Sequence, residues 1–347
     1  MIRFESESRE ARILRPSDNF EPVTQSIEHR RDPLTKLSVV VLKGRMEYVR
    51  KFIESDQSFV DELVKTSAVD CPFCPEAAEK RAPRFIPEIA PEGRIQVGEA
   101  VCFPSLIAHN DFNALVVPSR RHDLKLNEFS APMLTDAFKA AIAYLKRVRA
   151  WKPEVKYSAI AINFLPPAGS TIAHFHVQVL ASDIPFRSIE ELLRASEAYA
   201  MQNGSSYWKD LIDAEQRLGS RYIKRIGNVH WIAPFAPIGL NEVEAVVSER
   251  PTIDQLSDTD IEGLAEGTVR VAKFYYDIGV RSFNLAVYSG PLGESLDYYD
   301  VGLRIASRYG YKPRFVSDAW ALQYLLGEHE VYDAPEETCR AVREYFD

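Results

Sequence analysis

A weak internal repeat constrains the fold of this chain more than any other feature of its 347 residues. The segment ALVVPS (114–119) resembles EAVVSE (244–249), and YSAIAINF (157–164) resembles RSFNLAVY (281–288). In both copies a stretch with apolar residues at helical spacing lies between the two matching segments. We therefore expect two copies of a strand–strand–helix–strand–strand unit.

Composition limits the classes of protein to which the chain can belong. It is 46% hydrophobic and 27% charged, as globular proteins are, and its net charge is −8. An acidic protein is a poor ligand for a polyanion, so we expect no binding to nucleic-acid polymers. No apolar run approaches the ~20 residues of a membrane span, and the charged N-terminus lacks a signal-peptide core. These features predict a cytoplasmic protein with no membrane partner.

The local pattern predicts the organisation of the chain in outline. The first ~35 residues look irregular, and a strand is expected at 37–42. Residues 71–76 (CPFCPE) are interpreted as a tight knuckle, 126–149 and 187–216 as helices, and 157–164 and 172–181 as strands. The predicted division is an N-terminal half, 1–218, and a degenerate C-terminal half, 219–347.

The stretch HFHVQ carries three polar side chains on an otherwise apolar strand. Because strand residues alternate between faces, His174, His176 and Gln178 share one face, each about 6.6 Å from the next. A half-buried strand with its polar side in water is the alternative. The second copy lacks these side chains, which favours an active site in the first copy and a completing role for the second. At an offset of 128 residues, the corresponding positions are Gly302, Arg304 and Ala306.

The pair Cys71 and Cys74 has the C-x₂-C spacing of a zinc knuckle. A redox pair or two free thiols are the alternatives, and the two further ligands of a metal must be distant in sequence. His122, just past a predicted strand end, and His174 complete a Cys₂His₂ set, which suits zinc and also iron. The histidines considered as ligands are His29, His109, His122, His174, His230 and His329.

These motifs together resemble those of the galactose-1-phosphate uridylyltransferase family, in the histidine triad superfamily. The matching segments, in chain order, are RRDPLT (30–35), CPFC (71–74), HNDFNAL (109–115), PSRRHDL (118–124) and HFHVQ (174–178), with Asn163 before the last. The resemblance implies an α+β fold of two histidine-triad-like halves with antiparallel sheets, and a homodimer. It also implies Zn²⁺ held by Cys71, Cys74, His122 and His174.

The resemblance further implies that His176 is a covalent nucleophile. Its imidazole would attack the α-phosphorus of a nucleotide sugar and release a sugar 1-phosphate, in ping-pong chemistry. Gln178 can only hydrogen-bond a phosphoryl oxygen, which favours phosphates as leaving groups. The expected function is therefore nucleotidyl transfer between a nucleotide sugar and a sugar 1-phosphate. The alternatives are a nucleotide-sugar or dinucleoside polyphosphate phosphorylase, which uses inorganic phosphate, and a non-catalytic nucleotide-binding protein.

Further substrate contacts follow from the same resemblance. Each also has a structural interpretation, as a hairpin turn, an ordinary turn or a strand-end cap. The expected contacts are Asp111 with the ribose hydroxyls, Asn110 near base or ribose, Phe73 or Phe112 against the base, Asn163 near the phosphates, and Gly169, Ser170 and Thr171 at the α-phosphate. Arg30 and Arg31 are either phosphate contacts or solvated charges.

The second half departs from the family pattern. Ser289, Gly302 and Arg304 stand where some relatives have histidines for an additional metal, so we expect no second metal. The stretch KPRFVSDAWAL (312–322) matches the hexose-binding pattern only loosely, with Trp320 in place of a glutamate. Arg304, Tyr311 and Arg314 would then either bind a different phosphorylated acceptor or serve the fold.

Overall fold

A computed structural model describes residues 2–313 and 317–347, so Arg314 lies outside the described residues. Most of the described chain forms strands and helices, joined by short turns. The strands are β1 (Glu5–Leu14), β2 (Pro22–Arg31), β3 (Ser38–Val41), β4 (Ile95–Val97), β5 (Ala100–Pro104), β6 (Phe112–Val117), β7 (Tyr157–Phe164), β8 (Val177–Ser182), β9 (Tyr222–Ile226), β10 (Val229–Ile232), β11 (Leu240–Val247), β12 (Ser282–Tyr288), β13 (Val301–Arg308) and β14 (His329–Val331). The α-helices are α1 (Met46–Ile53), α2 (Gln57–Ser67), α3 (Pro75–Arg81), α4 (Ala131–Trp151), α5 (Arg187–Asn203), α6 (Tyr207–Leu218), α7 (Asp258–Asp277) and α8 (Pro335–Arg343).

The predicted repeat is present as two copies of one strand arrangement in a single sheet. The ten strands have the order β4-β5-β6-β8-β7-β12-β13-β11-β10-β9, and the neighbouring strands pair antiparallel. Read outward from the β7–β12 pair, β7-β8-β6-β5 in one half corresponds to β12-β13-β11-β10 in the other. The α+β fold with antiparallel sheets is therefore confirmed, with the two halves joined edge to edge.

The two long helices cover one face of this sheet. Ser130 and Ser257 accept hydrogen bonds from the main chain of the first turns of α4 and α7, which fixes where both helices begin. The buried faces of the helices pack on the sheet as one apolar core that spans the two halves. The opposite face of the sheet carries two smaller apolar clusters together with polar side chains.

One row of paired residues crosses that opposite face. Leu115 pairs with Gln178, Gln178 with Ala161, and Ala161 with Ala286. The row continues through Arg304, which pairs with Ala286 and with Glu244. Directly paired residues of antiparallel strands share a face, so Gln178 and Arg304 face the same side. Arg304 forms ion pairs with Glu242, at 3.6 Å, and Glu244, at 3.4 Å, which gives it a structural role in the second half.

A second sheet corrects the expectation that the first ~35 residues are irregular. The strands β1 and β2 form a ten-residue hairpin, and the sheet has the order β1-β2-β3-β14. Residues of β1 are exposed on both faces, so the hairpin lacks the apolar alternation by which strands are recognised in a sequence. The C-terminal β14 pairs parallel with β3. The division at residue 218 stays a prediction.

Three local expectations also need correction. The strand expected at 172–181 begins only at Val177, and His174 and His176 lie in the segment that leads into it. The helix expected at 187–216 is broken at Gly204, whose left-handed conformation ends α5. The knuckle expected at 71–76 ends at Cys74, because α3 begins directly after it. Pro75 lies in the first turn of this helix, where proline is favoured.

Arg30 is neither a solvated charge nor placed for a phosphate. It is 3% exposed and donates to both carboxylate oxygens of Glu336, at 2.9 and 3.0 Å. Its guanidinium also lies over the ring of Phe235. Arg31 is exposed. Among the described residues, no helix has the length and apolar character needed to cross a membrane.

Candidate active site and metal centre

Four side chains from three separate segments converge beside the start of β8. Cys71 and Cys74 precede α3, His122 follows β6, and His174 precedes β8. Their sulfur and ring nitrogen atoms all lie within 4.8 Å of one another. The structure thus brings together the four residues predicted as metal ligands; the other histidines considered as ligands are not part of this cluster.

The spacing of these atoms fits one tetrahedral metal ion. Nδ1 of His174 is 3.6 Å from Sγ of Cys71 and 3.7 Å from Sγ of Cys74, and Nδ1 of His122 is 3.6 Å from the latter. Sulfur and nitrogen ligands of one tetrahedral zinc, with bonds of about 2.3 and 2.1 Å, lie about 3.6 Å apart. The cluster can therefore hold one metal ion.

The far nitrogen of each histidine has an oxygen partner. Nε2 of His174 is 2.9 Å from the main-chain oxygen of Ser119, and Nε2 of His122 is 3.1 Å from that of Val64. A carbonyl can only accept, so both rings carry their hydrogen on Nε2 and direct the Nδ1 lone pair at the cluster. Hydrogen bonds of this kind orient metal-bound histidines in general.

Burial gives the two histidines the protonation state that metal binding needs, and it has the opposite effect on Cys74. It lowers the pKa of His174 to about 4 and also lowers the pKa of His122, so both rings are neutral near pH 7. Burial, with the neighbouring Cys71 sulfur, raises the pKa of Cys74 to about 11. The Cys74 thiolate therefore requires a cation beside it, and metal binding releases a proton.

His176 is held in a single orientation beside the cluster. Its Nδ1 donates to the main-chain oxygen of His174, at 2.9 Å, and its ring lies edge-on to Phe73, 5.1 Å between centroids. The residue is 7% exposed, and burial lowers its pKa. The ring is thus neutral, with its hydrogen on Nδ1 and its lone pair on Nε2, the form in which an imidazole is a nucleophile.

Gln178 lies on β8 two residues beyond His176. It pairs with Leu115 on one side and Ala161 on the other, and it is half-buried. The register places its amide on the face of the sheet that the long helices leave free. Only Gln178 is in the regular strand, so the prediction that it shares one face with His174 and His176 stays a prediction.

A cleft of about 640 Å³ opens beside Phe73. Phe73 and Phe103 pack with ring centroids 5.7 Å apart, and Val101 and Val117 extend the apolar wall. Polar side chains at the rim include that of Arg94. The cleft has the size and mixed lining of a small-molecule site. The sequence interpretation missed Val101 and Phe103, although their alternation in β5 marks one face of a strand.

The Asn110–Asp111 turn lies at the other end of β8 from His176. Phe112 pairs with Ala181, so Asp111 and His176 are separated by roughly 20 Å along the strand direction. Asp111 is exposed and Asn110 half-buried. Phe112 packs edge-on against Trp151 of α4, on the helix-covered face. Of the two aromatic residues expected at a base, Phe73 is therefore the one beside His176.

The loop between β7 and β8 is a tight turn whose main chain is largely self-bonded. The amide of Gly169 donates to Pro166, at 2.8 Å, and that of Ser170 to Leu165, at 3.4 Å. The hydroxyl of Ser170 donates to the oxygen of Ile172. The Gly169 and Ser170 amides are thus engaged within the turn, and the contact of Gly169, Ser170 and the exposed Thr171 with a phosphate stays a prediction. Gly169 has φ of +94°, which few other residues adopt.

Asn163, near the end of β7, contacts a residue that the sequence did not point to. Nδ2 of Asn284, on β12, lies 2.6 Å from Oδ1 of Asn163 across the seam of the two halves. Only the register of β7 with β12 brings them together, and no local pattern in the sequence encodes that register.

Comparisons with known proteins agree with this architecture. The chain matches no established protein-family profile. It is 30% identical over 346 residues, 99% of this chain and 98% of the other, to an uncharacterized protein of Archaeoglobus fulgidus.

Three solved structures share the fold at low sequence identity. An Arabidopsis thaliana GalT-like protein has a TM-score of 0.68 at 17% identity, covering 91% of this chain and 98% of its own. An Arabidopsis thaliana ADP-glucose phosphorylase with bound ADP-glucose has a TM-score of 0.68 at 18% identity, covering 92% and 99%. A uridylyltransferase has a TM-score of 0.64 at 16% identity, covering 91% and 98%. The chain therefore belongs to one family with the Archaeoglobus fulgidus protein, a family with the fold of the galactose-1-phosphate uridylyltransferase-like proteins.

Proposed function

We propose that the protein is a nucleotidyltransferase that moves a nucleoside monophosphate from a nucleotide sugar to a sugar 1-phosphate through a covalent intermediate on His176. The observation that carries this proposal is the hydrogen bond from Nδ1 of His176 to the oxygen of His174. It fixes the tautomer whose Nε2 lone pair can attack phosphorus. The cleft beside Phe73, whose ring lies next to that of His176, provides room for a base.

The reaction has two displacements at the same phosphorus. Nε2 of His176 forms a bond to the α-phosphorus, and the bond from phosphorus to the sugar-phosphate oxygen breaks, so the sugar 1-phosphate leaves with the electron pair. A phosphate oxygen of the acceptor then attacks phosphorus, and the Nε2–P bond breaks and restores neutral His176. Gln178, as an amide, donates a hydrogen bond to a phosphoryl oxygen and gives up no proton.

Zn²⁺ is the metal we propose for Cys71, Cys74, His122 and His174. Two thiolates and two imidazoles, as this cluster would offer them, are a donor set of structural zinc sites. When bound, the ion supplies structural cross-linking rather than reaction chemistry. Its ligand His174 offers the oxygen that orients His176, so the cluster positions the nucleophile.

For the substrate we propose that the base lies against Phe73 and that Asn163 and Thr171 face the phosphates. The roles of Asn110 and Asp111 at the nucleoside stay predictions. Contact with a nucleotide held at His176 would require the turn to fold over the sheet, since the two sites are at opposite ends of β8. The proposed location is the cytoplasm.

A phosphorylase that uses inorganic phosphate is the second candidate. Asp318 is the one carboxylate in the stretch 312–322, which was compared with the hexose-binding segment. Its two oxygens are held by Arg308, with distances of 2.7 to 3.0 Å. A carboxylate engaged in this way is not free for sugar hydroxyls, which favours an acceptor without a sugar ring.

We also propose a homodimer. Large apolar side chains are exposed together in and just before a short π-helix, Leu322–Leu326. Trp320 is 50% exposed and Leu325 is 80% exposed. Exposed apolar patches of this kind are typical of interfaces. A non-catalytic nucleotide-binding protein is the alternative in which His176 forms no bond to phosphorus.

The experiment that tests the proposal is intact-protein mass spectrometry after mixing with UDP-, ADP- and GDP-sugars. The expected result is an increase by one nucleoside monophosphate for the wild type with one class of donor, and none for His176→Ala. His29→Ala, in the hairpin sheet, is the matched control and should form the adduct.

Acceptors then separate the two catalytic candidates. Loss of the adduct on adding a hexose 1-phosphate supports the transferase, and loss only with inorganic phosphate supports the phosphorylase. Absence of an adduct with every donor, in folded and metal-loaded protein, would refute both and leave the nucleotide-binding alternative.

A further inference from the structure

A chain of hydrogen bonds crosses the middle of the ten-stranded sheet and ends at Asn163. Arg308 of β13 is paired with the carboxylate of Asp318, and its NH1 donates to Oδ1 of Asn284, at 2.7 Å. Nδ2 of Asn284 donates to Oδ1 of Asn163, at 2.6 Å, and to the main-chain oxygen of Ala168, at 2.8 Å. Asn284, which contacts Asn163, and Arg308, which contacts Asn284, both belong to the second half of the repeat.

Arg308, the first residue of this hydrogen-bonded series, determines which atom donates and which accepts in every bond that follows. A guanidinium group has hydrogens and no acceptor, so the atom of Asn284 that faces Arg308 is the oxygen. The NH₂ group of Asn284 then faces the opposite way, toward two oxygens. The atom of Asn163 that it meets is therefore Oδ1, and the NH₂ group of Asn163 is turned away from the seam.

We propose that Arg308 and Asn284 are positioning residues that force Asn163 to present its amide hydrogens, and not its oxygen, to the phosphates of the substrate. The proposal rests on the proposed function, since it assigns a task to residues around the same site. An amide placed the other way round would set an oxygen against a phosphoryl oxygen, which repels it. The order of donors and acceptors thus decides whether Asn163 attracts or repels the phosphate.

The same amide also holds the turn between β7 and β8. Its second hydrogen bonds to Ala168, within the turn that leads to Thr171. Leu165, where this turn begins, has φ of +66° and ψ of +165°, a conformation that is unfavourable for a residue with a side chain. Such a conformation persists only where neighbours enforce it. Asn284 therefore fixes both Asn163 and the adjacent turn.

The second half supplies these groups to a site in the first half. Asn284 lies on β12 and Arg308 on β13, and Asp318, which anchors Arg308, follows β13. The half without the His-x-His-x-Gln residues therefore contributes to the site through its side of the seam.

The order of donors and acceptors in this series of hydrogen bonds can be tested without an activity assay. In protein labelled with ¹⁵N only on asparagine, the side-chain NH₂ signals of Asn163 and Asn284 are identified by their loss in Asn163→Asp and Asn284→Asp. The NH₂ hydrogens of Asn284 should exchange slowly with solvent. Those of Asn163 should exchange faster and should shift on addition of AMP, UMP or GMP. Protected Asn163 hydrogens beside exposed Asn284 hydrogens would overturn the proposal.

The consequence for the reaction is tested with a double-mutant cycle. Asn284→Asp retains the acceptor for Arg308 but removes the donor to Asn163, and it should lower kcat about 10²-fold. In an Asn163→Ala background the same change should cost clearly less than in the wild type, because only the contact of Asn284 with Ala168 remains to be lost. Asn203→Asp, an exposed helix-end residue, is the matched control and should retain the wild-type kcat.

The outcomes separate this inference from the proposed function. Equal losses from Asn284→Asp in both backgrounds would mean that Asn284 acts independently of Asn163, and would overturn the positioning role. If the wild type forms no nucleotidyl adduct while the NH₂ signals show the expected order, the proposed function fails and the ordering of Asn163 stands. Melting temperatures of all variants identify any loss that comes from unfolding. If Asn284→Asp unfolds, Arg308→Met takes its place. This change should make the NH₂ hydrogens of Asn284 exchange faster with solvent.

Discussion

His176 donates its Nδ1 hydrogen to the main-chain oxygen of His174, at 2.9 Å, while the ring of His174 faces the sulfur atoms of Cys71 and Cys74. His174 thus belongs to the Cys₂His₂ cluster through its side chain and contacts the proposed nucleophile through its main chain. A disturbance of the cluster should therefore reach His176 directly.

Removing one ligand should release the metal and disable the nucleophile together. For Cys74→Ala we expect the metal content to fall from one ion per chain to near none, and the melting temperature to fall by roughly 5–10 °C. Nucleotidyl adduct formation should be lost with the metal. Elemental analysis, calorimetry and mass spectrometry measure the three effects.

Cys102→Ala is the control for that change, because Cys102 is a fully buried cysteine in the core and not part of the cluster. It should keep its metal and its adduct. A Cys74→Ala protein that still bound one ion per chain would contradict the assignment of Cys74 as a ligand.

Gln178→Glu should slow the reaction without removing the nucleophile. A carboxylate in place of the amide repels phosphoryl oxygens instead of donating to them, and the loss of one such donor typically lowers kcat by about 10²–10³-fold. The adduct should still form, at a reduced rate, in rapid-quench mass spectrometry. Gln216→Glu, on the surface of α6, is the matched control. An unchanged rate in Gln178→Glu would show that Gln178 does not contact the phosphate.

The ion pairs of Glu336 should make stability depend on acid pH. Burial alone would raise its pKa, but hydrogen bonds from Arg30, and from Arg221, lower it from 4.5 to about 2. A lowered folded-state pKa contributes stability that is complete above pH 4.5 and is lost as the pH falls toward 2. The full contribution is about 3 kcal/mol.

Urea denaturation between pH 7 and pH 3 measures this contribution. Below pH 4.5 the wild type should lose up to about 1.4 kcal/mol per pH unit through this group, and Glu336→Gln should lack that part of the slope. Glu344→Gln, at the surface after α8, should keep the wild-type slope. Parallel curves for wild type and Glu336→Gln would contradict the prediction.

Gly267→Ala should destabilise the fold although alanine favours helices. Gly267 lies in α7, and a Cβ there would overlap the indole ring of Trp231, which is fully buried. Overpacking of this kind costs typically 1–3 kcal/mol, against a gain of about 1 kcal/mol in helix propensity. We expect a net loss of about 1 kcal/mol or more in urea denaturation. Glu262→Ala, exposed in the same helix, should change stability by less than about 0.5 kcal/mol.

Much of the fold could be predicted because each strand and helix of the repeat has its own local pattern of apolar residues. The strand at 157–164 matches β7 residue for residue, and the helix at 126–149 matches α4 apart from its start. The joining of β7 to β12 could not be predicted, because strand register depends on contacts between residues more than a hundred positions apart. The strand β1 was missed since its residues have no buried face, and the half-buried positions of β2 are largely polar.

The candidate site divides in the same way. The four cluster residues carry chemistry in their identity, so Cys71, Cys74, His122 and His174 could be selected from the sequence. Phe112 could not be separated from Phe73, because which face of the sheet it occupies depends on the pairing of β6 with β8. Asn284 is an ordinary polar residue in a strand, and only its position opposite Asn163 gives it significance.

The edge-to-edge sheet has a consequence for how such a protein can change. In a dimer of two identical chains, every substitution appears twice, so a residue suited to one half must be tolerated in the other. Here the two halves are one polypeptide, and His176 and Arg308 each lie in one of the two halves and have no counterpart in the other. Covalent fusion thus breaks the symmetry of the pair. One half can specialise as the carrier of a reactive group while its twin becomes the support that holds that group in place.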